Sequence, residues 1–301
     1  MNLIGKFTID TNYNFALLLD VLRRFAYPTV DRVRGDAYWR VIQDETVLAL
    51  VRVTQHNQST LHVHLVETRG EVNTAQILTT LRHILGIDMH LTPFYDFART
   101  RPELWQVIAP ILGVRWLRTA TPFEALCTTI IEQQIAWTTA QRAQRWLVEW
   151  ADNAVHYDND TFYAFATSAQ LAPATIDALT PLKITFRRMH LLIHVATLAE
   201  NGDINFDALR DVTPAQAYTT LTAIKGIGHW TAAWTLARAQ GTFAYVGHND
   251  VALQAAVNHY FYGGMGKIPE EKVIETFAPY GDFAGLAAHH TILRWVLDRY
   301  D

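Results

Sequence analysis

Cysteine is nearly absent. Cys127 is the single one among 301 residues, which excludes an internal disulfide, a cysteine-ligated zinc site and an iron–sulfur cluster held by this chain alone. Its apolar surroundings point to a buried small hydrophobe. Long apolar runs are lacking too: none reaches the roughly eighteen residues of a membrane span. The opening MNLIGKFTIDTNYNF turns polar where a signal peptide would need an apolar stretch, so the expectation is a cytoplasmic protein with no membrane partner. A basic excess is missing, with 25 Lys and Arg against 29 Asp and Glu and a net charge of -4. That argues against a protein that holds nucleic acid by bulk charge. It leaves room for one that grips a few phosphates through backbone N–H groups and helix N-termini. No internal repeat, low-complexity tract or long linker stands out.

What is present is apolar: half of the residues, enough for a sizeable core. The first ninety residues mix two periods. Residues 47–53 (VLALVRV) and 61–66 (LHVHLV) are short β-branched runs suggesting an antiparallel pair, while 15–25 and 75–85 carry helical apolar spacing. Beyond residue 91 the pattern is helical, punctuated by proline and glycine. Helices are expected at 102–111, 122–134, 137–150, 174–179, 185–200, 214–221, 229–239, 250–261, 270–277 and 283–299, with no strand after residue 115. The fold class is therefore mainly α (α+β overall): a mixed α/β unit over 1–90 with an antiparallel sheet, then a helical region over 91–301.

The most informative stretch is LTAIKGIGHWTAAWTLARA, residues 221–239. Gly226 and Gly228 interrupt a helical pattern, implying two helices joined by a tight turn within a hairpin over 214–239. Glycine permits positive φ and close backbone approach, and a helix opening at His229 presents free N–H groups to an anion. After a short loop another helix begins at Asp250, where an aspartate can cap it.

Glycine hairpin, Trp-Thr-Ala helix and following aspartate together resemble the helix-hairpin-helix DNA glycosylase superfamily, and within it the bacterial 3-methyladenine DNA glycosylase II branch. The hairpin Ile224-Lys225-Gly226-Ile227-Gly228-His229-Trp230-Thr231-Ala232 and the position of Asp250 carry the likeness. Thr121-Pro122-Phe123-Glu124-Ala125 through Ile131-Glu132-Gln133-Gln134-Ile135 and Leu182-Lys183-Ile184-Thr185-Phe186-Arg187-Arg188 are similar to further family motifs. The N-terminal unit resembles that branch's N-terminal domain.

The resemblance implies a helical core of two subdomains acting in base-excision repair on damaged double-stranded DNA, with no obligatory protein partner. It casts Asp250 as the catalytic carboxylate, stabilising an oxocarbenium ion and activating water. Trp230, Trp234 and Tyr280 become walls of a base pocket for alkylated purines, whose positive charge suits aromatic faces. Gln134 becomes the wedge left in the helix after base flipping. Lys225, Gly226, Gly228, His229 and His248 become DNA contacts. No cofactor is required, although backbone carbonyls of Thr222, Ile224 and Ile227 are implied ligands of a Na⁺ or K⁺ ion. Bifunctional relatives carry a Schiff-base lysine two residues after the second hairpin glycine. Here that residue is Trp230, so a monofunctional enzyme is expected. Two other reactions stay open: release of oxidised or deaminated bases, and DNA binding without catalysis. The pairs His62/His64 and His289/His290 are expected to be structural.

Overall fold

The computed structural model describes residues 1–45 and 47–299; the last two positions of the 91–301 region lie outside it. The N-terminal unit is a five-stranded antiparallel sheet of order β1-β5-β4-β3-β2. Its strands are β1 (Asn2–Thr8), β2 (Arg32–Arg34), β3 (Ala37–Asp44), β4 (Val47–Asn57) and β5 (Thr60–Arg69). The expected pair is β4 and β5, with Val53 opposite Val63 and Val51 opposite Leu65. Strand β3 escaped the sequence pattern because both its faces are buried, which erases the alternation that marks a half-exposed strand. Helices α1 (Phe15–Arg23) and α2 (Thr74–Ile84) cover one face of the sheet, each capped by an asparagine, Asn14 and Asn73. Phe15, Leu18, Leu22, Ile77 and Leu81 pack there against Tyr38, Val51, Val53 and Val63.

The other face corrects an expectation. Residues 154–163 form a hairpin, β6 (Ala154–Tyr157) and β7 (Asp160–Tyr163), where no strand was foreseen. Asp158 and Asn159 both take positive φ, 52° and 59°, as a tight hairpin turn requires and as these two residue types tolerate. Four-residue strands are too short to show a period, so only their burial reveals them. Val155 and Phe162 cover Ala37, Trp39 and Leu50, with Phe162 stacked at 5.4 Å on Trp39. The N-terminal sheet is thus closed by a segment some hundred residues further along the chain.

The helices follow as α3 (Thr92–Arg99), α4 (Pro102–Ile108), α5 (Pro122–Glu132), α6 (Trp137–Ala151), α7 (Ser168–Leu171), α8 (Ile176–Leu179), α9 (Phe186–Glu200), α10 (Pro214–Ala223), α11 (His229–Ala239), α12 (Val251–Tyr262), α13 (Glu270–Phe277) and α14 (Ala284–Arg299). They build two cores. One gathers Leu126, Ile130, Leu147, Leu192, Val195, Leu221 and Leu236 from α5, α6 and α9 to α11. The second gathers Phe94, Ile108, Leu253, Val257, Phe277 and Ile292 from α3, α4 and α12 to α14. Helix α11 serves both, with Leu236 in the first and Trp234 in the second. Two helical subdomains joined along one helix leave a cleft between them. Buried Arg40 fixes the sheet to this core, reaching Glu124 on α5 at 2.7 Å and Asp31 at 2.7 Å.

Candidate active site

The cleft encloses about 1190 Å³, and Gln133, Gln134, Gly226, Gly228, Trp230, Trp234 and Asp250 all line it. Tertiary packing therefore unites turns that lie far apart in the sequence.

Asp250 stands at the N-cap of α12. Its Oδ1 accepts the backbone N–H groups of Ala252 at 2.8 Å and Leu253 at 2.9 Å. Its Oδ2 accepts the indole N–H of Trp230 at 2.8 Å. Three donors thus fix the carboxylate, and it sits half-buried at the cleft wall. The cap is therefore part of the site rather than an alternative to it.

The hairpin has one special glycine. Gly226 takes φ +101°, and a Cβ there would meet the Leu191 side chain at 3.2 Å. Gly228 is extended at φ -97° and ψ -176°, capping α11 in open space. Positive φ is thus required at the first glycine alone. A Cβ at the second would meet nothing within 4 Å, so this residue leaves the approach to the helix N-terminus clear. The Ile224 carbonyl accepts the Ile227 amide at 3.0 Å. A carbonyl oxygen carries two lone pairs, so the Ile224 carbonyl keeps one beside this bond.

Gln134 is exposed with φ +52° in the turn between α5 and α6, placed to reach out of the cleft. Its neighbour Gln133 was missed as a site residue. The Gln133 amide donates to the Gly226 carbonyl at 3.3 Å and to Thr231 Oγ1 at 3.0 Å, tying this turn to the hairpin. Sequence offered only the doublet, with nothing to say which glutamine turns inward.

Several expected site residues lie elsewhere. Tyr280 does not reach the cleft: it is 4% exposed among Phe97 and Phe277, with its hydroxyl donating to Glu103 at 3.4 Å. Burial and the Glu103 carboxylate push that phenol up to about 12. Trp295, Ile292 and Val296 of α14 line the cleft instead. Trp234 lines it but is 5% exposed, enclosed by Trp116 at 5.4 Å, His289 at 4.7 Å and the Arg238 guanidinium at 5.6 Å. Trp230 is the more open of the pair.

The His229 side chain is committed within the protein. Its Nε2 donates to the Val246 carbonyl at 2.8 Å, which leaves Nδ1 to accept the Tyr218 hydroxyl at 3.0 Å. His248 stacks on it at 4.7 Å and reaches Glu270 at 2.8 Å. These two histidines brace the loop that delivers Asp250 and do not line the cleft. Lys225 is exposed on the hairpin. Among the described residues no group of three His, Cys, Asp or Glu side chains is placed to hold a metal, and no helix is long and apolar enough to cross a membrane. His62 stacks on His56 at 4.1 Å. Buried Cys127 has its thiol pushed up by burial.

This arrangement has counterparts. Residues 9–126 match the family model of the 8-oxoguanine DNA glycosylase N-terminal domain. A 3-methyladenine DNA glycosylase from Archaeoglobus fulgidus superposes with TM-score 0.83 at 23% identity, covering 98% of each chain. The fold is that of the helix-hairpin-helix DNA glycosylases. A DNA-3-methyladenine glycosylase of Bacillus subtilis (strain 168) is 24% identical over 285 residues, 93% of this chain and 92% of that relative. An 8-oxoguanine glycosylase/lyase from Clostridium acetobutylicum, solved with double-stranded DNA containing cytosine opposite 8-oxoguanine, superposes with TM-score 0.74 at 15% identity, covering 94% and 91% of the two chains.

Proposed function

We propose that this protein is a monofunctional DNA glycosylase of base-excision repair that hydrolyses the N-glycosidic bond of alkylated purines in double-stranded DNA. The observation carrying the proposal is the Asp250 carboxylate, held by two amides and an indole at a cleft that the hairpin also lines.

A base inside a duplex is beyond reach, so the nucleotide must be flipped out. The exposed amides at the start of α11 hold a phosphate, with Gly228 allowing its approach and Lys225 adding charge nearby. The carbonyls of Thr222, Ile224 and Ile227 would hold a monovalent cation that adds positive charge beneath that phosphate. Gln134 fills the gap in the base stack. The flipped base then passes Trp230 into the cleft.

Bond cleavage leaves the electron pair on the base and positive charge on the sugar. Asp250 opposes that charge in a setting that needs no reorganisation, because its donors are already in place. Water adds to the anomeric carbon from the open side and gives up its proton to Asp250 or to solvent. A cationic base departs readily, so no strong general acid is needed. Trp230 occupies the position of the Schiff-base lysine in bifunctional relatives, and an indole forms no imine. Support for alkylated substrates comes from the names of the Bacillus and Archaeoglobus relatives. The match to the 8-oxoguanine family's N-terminal domain favours oxidised guanine as the second reading.

Single-turnover base release from duplexes holding 3-methyladenine, 7-methylguanine, hypoxanthine or 8-oxoguanine decides between them, with Asp250→Asn alongside. The alkylated bases are expected to leave fastest, without strand cleavage. Release of 8-oxoguanine alone refutes the alkyl reading. A borohydride-trapped protein–DNA adduct refutes the monofunctional one.

A further inference from the structure

A charged pair inside the cleft has no part in this scheme. Glu132, the last residue of α5, meets Arg238 of α11 at 2.7 Å, with only 8% and 10% of the two side chains exposed. Both line the cleft that holds Asp250. Trp230, Trp234 and Arg238 follow one another at i, i+4 and i+8 on α11, so they form one stripe along the cleft wall. From the Trp230 indole on Asp250, the stripe passes the Trp234 ring at 6.4 Å and ends at Arg238, 5.6 Å beyond it.

The pair is held in a defined orientation. Gln144 donates to Glu132 Oε1 at 3.0 Å, and Arg238 donates to Thr129 Oγ1 at 2.9 Å while lying 5.6 Å from the Trp234 ring centroid. Burying an ion pair is seldom the most stable choice between two packed helices, since apolar residues of similar volume commonly do as well or better. Its placement therefore calls for a role other than stability. The donor count indicates which role. Arg238 carries five N–H groups and binds two partners, Thr129 and Glu132. Glu132 meanwhile has one partner on each oxygen. The unspent capacity at this end of the cleft is mainly that of a planar, charged donor.

We infer that Arg238, oriented by Glu132, is a specificity-determining residue that donates hydrogen bonds to a purine carrying a carbonyl oxygen at its 6-position, the edge shared by guanine-type bases and hypoxanthine. A 6-amino purine presents donors there instead, and two donors face to face leave the charged group unsatisfied. The inference rests on the glycosylase reading and adds substrate choice to it.

The test is a ratio of single-turnover rates: 7-methylguanine and hypoxanthine release, each against 3-methyladenine release, in matched duplexes. Two variants are compared with wild type. Arg238→Lys keeps the ion pair but loses the planar fork. The double variant Glu132→Leu/Arg238→Met removes both charges together, so that neither is left buried alone. In both, the two ratios are expected to fall by about tenfold or more, because a site built to hydrogen-bond a group loses discrimination when the donor goes. A uniform change across all three bases overturns the inference and makes the pair a helix clamp. A selective loss of 3-methyladenine release also overturns it, since Glu132 would then be reading the amino edge. Failure of wild type to release any of the bases overturns the glycosylase reading, and this inference with it.

Discussion

Replacing Trp230 with phenylalanine removes one hydrogen-bond donor from Asp250 while keeping an aromatic ring at the cleft wall. In the wild type the indole N–H lies 2.8 Å from Asp250 Oδ2. The amides of Ala252 and Leu253 hold Oδ1 independently, so the carboxylate of the variant stays at the helix start but loses its orientation about the last torsion. A hydrogen bond to a charged group is worth about 1.5–3 kcal/mol. Asp250 is half-buried, and water replaces part of that, which places the loss near the lower bound. At 1.36 kcal/mol per factor of ten, the chemical step should slow by about tenfold to thirtyfold. The assay is single-turnover base release at saturating enzyme, with duplex affinity measured separately by anisotropy. The rate should fall while affinity holds, because the indole N–H contacts the carboxylate and not a phosphate. A rate within twofold of wild type would show that the bond is incidental. A parallel loss of affinity would show that the ring, not its N–H group, matters.

Four further outcomes follow from the same geometry. Asp250→Asn should lower release by about a hundredfold or more yet melt close to wild type, since asparagine caps helices as well as aspartate; differential scanning calorimetry beside the release assay checks both. Gly226→Ala should destabilise by about 1–2 kcal/mol through its φ of +101°, whereas Gly228→Ala, extended and facing open space, should change the urea midpoint little and weaken duplex affinity instead. Gln133→Ala should loosen the hairpin by removing its ties to Gly226 and Thr231, read as faster hydrogen exchange over residues 224–231. Acid should also unfold the protein early. Burial holds His289 down to about 3 and His290 down to about 4, while both titrate near 6.5 when unfolded. Their contribution is complete above pH 6.5 and is lost as pH falls towards 4, at about 1.4 kcal/mol per pH unit for each. Urea midpoints at pH 7 and pH 5 should show this, and His290→Leu should flatten the difference.

Much of the molecule was legible before its structure. Helices α4 to α6 and α8 to α14 follow periodic apolar residues and sharp caps, because a helix buries one stripe and its ends need partners wherever it packs, whereas the short α3 and α7 were not foreseen. Asp250 was found by its distance from the Gly226/Gly228 turn. Strands β3, β6 and β7 were not legible, the first because burial on both faces removes alternation, the others because four residues carry no period. Tyr280 was assigned to the pocket by its place in a motif, yet its turn faces Phe97 and Phe277.

The sequence by itself determined the helical core, the hairpin and the aspartate that heads α12, all of which are local matters of period, glycine and capping. Only the tertiary structure decided what meets that aspartate. The Trp230 indole on its carboxylate, Gln133 on the hairpin and Glu132 on Arg238 each join residues between 20 and 106 positions apart. Such pairings depend on which faces of α5 and α11 turn towards one another, and side-chain packing across the whole core sets that orientation.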